Sequence, residues 1–248
     1  MKITIFGHGF VGGAITNNLI RNSEHEIVKI DPAHFDTKLE DHTDTDGIIL
    51  CLPTPTTDGV CDDSIIISVL DDIEQAGLGD VPVLLKSTVT PNKMKLYPET
   101  VTYSPEFLRA STAYADFNEQ KSMIFGGTRD GFKFWRTTFQ YHPSIKQHYD
   151  RPTSSMIKYM HNTWLAMKVA YFHEIFSTLG EDYDHESLVH ALGGMENIGP
   201  SHMNAPNAVG ELGFEGYCFP KDTQAFADFS GSEILKAAIN TNNKLRKL

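Results

Sequence analysis

The sequence predicts an α/β fold, a Rossmann-type doubly wound parallel sheet followed by an all-helical domain with a long central helix. Three observations carry this. Short apolar runs alternate with helical patterns through residues 1–150. The first run leads into the glycine turn Gly7-His8-Gly9-Phe10-Val11-Gly12. Beyond Arg151-Pro152 the alternation stops, and from Thr153 to Leu179 no Gly or Pro interrupts a helical recurrence of Met156, Met160, Trp164, Met167, Tyr171 and Ile175. Two domains are therefore expected, 1–150 and 151–248.

Residues 2–6 read as a buried strand, and Val11 to Ile20 as the helix after the glycines. A second strand, 26–30, ends at Asp31; 32–46 is polar and acidic and reads as a solvated loop. Further strands are expected at 47–51, 82–86, 101–104 and 122–127, with 145–149 as an edge strand. Helices are expected at 63–77, behind an Asp/Ser start, and at 130–140. The second part reads as helices 153–179, 184–192, 221–229 and 232–246, with a Gly-, Asn- and Pro-rich loop over 193–217.

Composition narrows the function. Of 248 residues 40% are hydrophobic and 21% charged, enough for a packed core. Lys plus Arg number 21 against 32 Asp plus Glu, a net charge of -11, which argues against general nucleic-acid binding. An anionic ligand must then be met by local donors. No stretch approaches the roughly 20 apolar residues of a membrane span, and the glycines at the N-terminus come too early for a signal-peptide core. Cys51, Cys61 and Cys218 lack CxxC spacing, so neither a disulfide framework nor a metal site is expected, and a reducing cytoplasm is the default.

Gly7 permits a tight turn, Gly9 lets backbone approach a pyrophosphate, and Gly12 allows close helix–sheet packing. Phosphates would face the N-terminus of the next helix, with Phe10 and Val11 in its first turn. Asp31 can accept from ribose hydroxyls and would repel a 2′-phosphate, which favours NAD over NADP. Leu52 and Thr54, after the third strand, and Ser87-Thr88, after the fourth, stand at the sheet edge where such ligands bind.

Other residues allow two readings. Cys218, in a glycine-rich loop just before a helix start, is either an activated nucleophile or a small buried apolar residue. Lys158 and Asn162 share a helix face four residues apart, as functional groups or as a snorkelling surface lysine and its neighbour. Ser87-Thr88 and Ser104-Pro105-Glu106 are site residues or plain turn chemistry. Cys51 reads as core and Cys61 as an inert loop residue.

Taken together, six segments resemble the UDP-glucose/GDP-mannose dehydrogenase family: GHGFVG, Leu52 to Thr56, Lys86 to Val89, Ser104 to Leu108, Lys158 to Ala166, and Gly213 to Asp222. The resemblance implies oxidation of a sugar-nucleotide C6 alcohol to a carboxylate with two NAD. It makes Cys218 the nucleophile that traps the aldehyde as a thiohemiacetal and then a thioester. It gives Lys158 the developing oxyanion, with Asn162 as second donor. Asp222 would help activate water, and Thr88 and Glu106 would handle protons. On this reading Cys218, Lys158 and Asn162 converge on one pocket.

The sequence also departs from the family. The chain ends soon after Asp222, so the family's nucleotide-closing third domain is expected to be missing. Glu215 and Tyr217 replace a glycine and a serine of the usual GFGGSC loop, Asn197 stands for an arginine that reaches the sugar, and Ala110 for an acidic residue. A carboxylate at 215 would oppose a pyrophosphate. Helix 153–179 is apolar around much of its circumference, which predicts a homodimer through it. The alternatives are a degenerate NAD-binding homologue and a β-hydroxyacid dehydrogenase relative, the latter sharing the Lys/Asn pair but not needing Cys218.

Overall fold

The structure, a computed structural model, describes residues 1–247. In chain order it runs β1 (Lys2–Phe6), α1 (Phe10–Asn22), β2 (Glu26–Ile30), β3 (Gly47–Leu50), β4 (Thr56–Thr57), β5 (Val60–Cys61), α2 (Ser64–Gln75), β6 (Val83–Leu85) and β7 (Val101–Tyr103). There follow α3 (Ala113–Glu119), β8 (Ser122–Gly126), α4 (Arg129–Thr138), β9 (Ile145–Tyr149), α5 (Arg151–Leu179), α6 (His185–Gly193), α7 (Cys218–Ser230) and α8 (Glu233–Arg246). Two compact units result: Met1–Pro55 with Asp62–Lys158, and Thr56–Cys61 with Tyr159–Leu248. The division falls inside α5 rather than before it. Among the described residues, no helix is long and apolar enough to cross a membrane.

The first unit is built on one sheet, ordered β2-β1-β3-β6-β7-β8-β9. Alternation along each strand feeds two apolar layers. Ile48 and Leu50, Val83 and Leu85, and Val101 and Tyr103 pack on one face with Ile66 and Ile73 of α2. Ile3 and Ile5, Ile49 and Leu84 pack on the other with Ile15 and Leu19 of α1, Phe117 of α3 and Trp135 of α4. Burial on both faces is why these strands read as unbroken apolar runs.

The sheet is parallel from β2 to β7, but β8 meets β7 antiparallel through Tyr103↔Gly126, and β9 runs parallel to β8. A parallel neighbour needs a full crossover. The link from β7 to β8 instead carries only the short α3, tied to α1 by Asn18 Nδ2 donating to Asn118 Oδ1 at 2.7 Å. As expected, β9 closes one edge.

α5 begins two residues before its expected start. Proline suits a first turn, and Asp150 holds that turn through Thr153 N (2.7 Å) and Thr153 Oγ1 (2.9 Å). In the second unit Ala166, Val169 and Ala170 of α5 are buried with Phe214. Tyr159 stacks on Phe226 of α7 at 5.2 Å, and Gly231, in the left-handed region at φ 68°, turns α7 into α8.

Candidate functional site

In the first unit the last residues of five parallel strands stand in register, Ile30, Phe6, Leu50, Leu85 and Tyr103 side by side. The ladder runs one step further: Gly7 N donates to Ile30 O, Cys51 N to Phe6 O, Lys86 N to Leu50 O and Ser104 N to Leu85 O, at 2.8–2.9 Å. Asp31, the glycine turn, Leu52, Ser87-Thr88 and Glu106 thus all leave one carboxyl edge. Ligands of such sheets bind where the order reverses, here between β1 and β3.

The three glycines differ physically. Gly7 has φ +81°, and a Cβ there would lie 2.2 Å from Cys51 O. A Cβ on Gly12 would lie 2.0 Å from Gly7 O. A Cβ on Gly9, by contrast, would meet no atom of the described residues within 4 Å beyond its own chain neighbours. Gly9 is the N-cap of α1 and offers that helix neither a side-chain cap nor an acidic first turn. Its leading N–H groups, at Phe10 and Val11, therefore remain suited to an anion. This fits a dinucleotide's pyrophosphate.

Asp31 accepts from His8 N at 2.7 Å and from Ala33 N at 3.0 Å. The His8 amide, with help from Ala33, holds its carboxyl below the usual range. It thus fixes the backbone of the glycine turn. Leu52 N donates to Ser87 Oγ at 2.9 Å, joining two strand ends; Thr54 is buried and Thr88 half-buried.

Beyond β7, Glu106 is buried and paired with Lys158 of α5. Lys158 Nζ donates to Glu106 O at 2.5 Å and lies 3.3 Å from Glu106 Oε1, while Leu108 N donates to Oε2 at 2.7 Å. The structure therefore rules out the snorkelling reading of Lys158, which is 3% exposed.

Lys86 is a residue the sequence reading passed over. Its buried ammonium donates to Ser104 Oγ (3.1 Å) and Pro105 O (3.2 Å), pinning the turn that presents Glu106. Burial pushes it down to about 8. A lysine directly after the apolar run of β6 was the available signal. Cys51, behind the glycines, is pushed up to about 12 by burial, in keeping with its reading as core.

The second unit gathers Asn162, Asp222 and Lys221. Asn162 Nδ2 donates to Asp222 Oδ2 at 2.7 Å, and Lys221 Nζ to Asp222 Oδ1 at 2.5 Å. Burial opposes the Lys221 charge, but Asp222 and the nearby Cys61 and Cys218 outweigh it and raise its pKa. Cys218 is not before a helix, as the sequence suggested, but is the first residue of α7, where the helix N-terminus favours negative charge. Cys61 is likewise corrected: it sits buried on strand β5, not in a loop.

The loop before Cys218 is anchored by two residues the sequence did not flag. Gly213 N donates to His173 Nδ1 at 2.8 Å, and Phe214 N to Asn242 Oδ1 at 2.6 Å. Burial lowers the His173 pKa, which keeps the ring neutral and able to accept. Glu215 accepts from Asn207 Nδ2 at 2.7 Å and pairs with Arg246 at 3.2 Å. Its charge is thus already countered.

Asn162→Asp is expected to place two carboxylates in one buried site and destabilise the protein by about 3 kcal/mol at neutral pH. The pair would hold a proton that the unfolded chain releases. Its raised pKa makes the penalty smallest below the ordinary carboxylate range and largest once pH has risen through the folded value. Urea unfolding at several pH values checks this; an equal penalty at every pH contradicts it.

Residues 32–137 match the model of the UDP-glucose/GDP-mannose dehydrogenase family, NAD binding domain, and 152–244 that of the same family's central domain. The chain is similar to UDP-glucose 6-dehydrogenase of Campylobacter jejuni, 26% identical over 294 residues, covering 100% of this chain and 73% of that protein. It is also similar to UDP-glucose 6-dehydrogenase of Rickettsia felis, 26% identical over 300 residues, covering 98% of this chain and 65% of the relative. A UDP-glucose dehydrogenase structure from Pyrobaculum islandicum superposes with a TM-score of 0.87 at 22% identity, over 98% of this chain and 68% of that one. A Mycobacterium tuberculosis 3-hydroxyisobutyrate dehydrogenase gives 0.74 at 18%, over 98% and 92%. Both structures share the fold.

Proposed function

The chain belongs to the UDP-glucose/GDP-mannose dehydrogenase family, and from that premise we propose that it oxidises the C6 alcohol of a nucleotide sugar, of the UDP-glucose kind, to the uronic acid through Cys218. NAD is the cofactor of the family's first domain, and bound there it would take up a hydride in each of the two proposed oxidations. The observation that carries the reading is the foot of α7, where the helix opens on a thiol beside the Lys221–Asp222–Asn162 cluster.

In the proposed mechanism Gly7, Gly9, Phe10, Val11 and Gly12 hold the pyrophosphate and Asp31 the ribose, with Leu52, Thr54, Ser87 and Thr88 along the same edge. Thr88 and Glu106 handle the proton of the C6 hydroxyl through water. The Lys158 ammonium, held on Glu106, meets the charge that develops on oxygen, with Asn162 as second donor. The Cys218 thiolate adds to the aldehyde carbon, forming a C–S bond and a thiohemiacetal. After the second oxidation this is a thioester. Asp222 takes a proton from the attacking water, the C–S bond breaks, and the acid leaves with the thiolate restored. Residues 1–150 would hold NAD and 151–248 would serve assembly and catalysis.

A thermal-shift panel tests the ligands. NAD is expected to stabilise the protein more than NADP at equal concentration, and a UDP-hexose to add to the shift. Equal or greater stabilisation by NADP contradicts the role of Asp31. Stabilisation by NAD with no response to any UDP- or GDP-sugar favours a binder without substrate.

The proposed assembly is a homodimer through α5. Met160, Trp164, Tyr171, Ile175 and Leu179 are exposed along that helix, a stripe at helical spacing that a second copy would cover. Light scattering at micromolar concentration is expected to give a dimer and Trp164→Glu a monomer. A monomeric wild-type protein contradicts the proposal.

A further inference from the structure

The second unit holds two thiols, Cys61 and Cys218. β4 and β5 form a hairpin whose turn residues, Asp58 and Gly59, are both left-handed at φ 50° and 83°, as a two-residue hairpin turn demands. The hairpin packs on α7. Thr56, directly across from Cys61 in the ladder, donates from Oγ1 to Lys221 O at 3.1 Å. Cys218 lies one turn before Lys221 on α7. The Lys221 ammonium, fixed on Asp222, lies within electrostatic reach of both sulfurs. Cys61 is 1% exposed, whereas Cys218 is half-buried. Cys218 is thus partly open to a small solute and Cys61 is shielded from it, and one cation acts on both sulfurs and favours their anionic forms.

We propose that Cys61 and Cys218 form an oxidative modification site, with Cys218 as the thiol that hydrogen peroxide oxidises and Cys61 as the thiol that resolves it. The Cys218 thiolate takes the distal oxygen of the peroxide; the O–O bond breaks, sulfur loses two electrons, and hydroxide leaves as water. The Cys61 thiolate then attacks the Cys218 sulfur, the S–O bond breaks, and a second water departs. Two thiols and one peroxide give one disulfide and two waters. A dithiol reverses it by exchange, becoming a disulfide itself. The effect on turnover rests on the reading of Cys218 as the nucleophile; the thiol chemistry does not.

The test uses the full chain and graded hydrogen peroxide, followed by alkylation under denaturing, non-reducing conditions and peptide mass mapping. The expected result is loss of two thiols together, a cross-linked Cys61–Cys218 peptide, an alkylated Cys51, and full recovery with dithiothreitol. In Cys61→Ala, and in Cys61→Ser should the first fold poorly, Cys218 is expected to pass to sulfinic acid that dithiothreitol cannot recover. Equal sulfinic acid in wild type and variant, or Cys218 linked only between chains, overturns the proposal. NADH formation with a UDP-hexose is followed in parallel. A Cys61–Cys218 disulfide that leaves turnover intact keeps the modification site and overturns Cys218 as nucleophile. Turnover lost without the disulfide does the reverse.

Discussion

Cys218→Ser is expected to lower formation of the uronic acid by roughly 10⁴-fold or more while leaving NAD affinity unchanged. A serine hydroxyl keeps the volume at the start of α7 but is a far weaker nucleophile than a thiolate at neutral pH. The aldehyde is then not trapped, and the second oxidation has no tetrahedral adduct to act on. The NAD contacts proposed here all come from the strand ends of the first unit, so cofactor titration should not register the change. Lys158→Ala provides the contrast. It removes the cation that both oxidations use, and each step is expected to slow by about 10²–10³-fold. It also leaves the buried Glu106 without its ion partner, a cost of about 3 kcal/mol that unfolding would reveal separately. Product analysis with NAD and a UDP-hexose checks both variants. Undiminished acid from Cys218→Ser contradicts the covalent route.

The second large effect separates two glycines of one motif. Gly12→Ala forces a methyl group to 2.0 Å from Gly7 O, where two backbone segments meet and neither can yield without moving β1 from α1. The expected loss of stability exceeds about 3 kcal/mol, with NAD binding lost in consequence. Gly9→Ala meets open space instead, and its backbone, at φ −69° and ψ −161°, lies in the extended region. Stability should stay within about 0.5 kcal/mol. The new methyl group would, however, stand where the pyrophosphate approaches the helix, and NAD affinity is expected to fall roughly 30- to 100-fold. Chemical unfolding and NAD calorimetry on the two variants check this. A destabilised Gly9→Ala, or one with normal affinity, would place the phosphates elsewhere.

Much of the first unit was legible because its chemistry stands directly beyond strand ends. Once 2–6, 26–30, 47–51, 82–86 and 101–104 are read as strands, Gly7, Asp31, Leu52, Ser87 and Glu106 follow as edge residues, and the register of Ile30, Phe6, Leu50, Leu85 and Tyr103 sets them along one line. The β4–β5 hairpin was missed because its strands are two residues each, too short for alternation, although Asp58-Gly59 carried the turn signal. Lys86, His173 and Asn242 depend on partners distant in sequence: the 104–105 turn for the first, and the 213–214 loop for the other two. No local pattern encodes such pairings. The start of α7 was displaced because its glycine-rich approach masked the first turn. The antiparallel entry of β8 depends on how the short α3 docks on α1, which periodicity does not report.

The covalent oxidation itself is tested most directly by stoichiometry. Protein, excess NAD and a limiting UDP-hexose are carried to completion, and NADH and uronic acid are both counted. Sequential oxidation through Cys218 predicts two NADH for each acid formed, with a Cys218 thioester recovered by acid quench and peptide mass mapping. One NADH per sugar with free aldehyde as product, or acid formed with no adduct on Cys218, would contradict it.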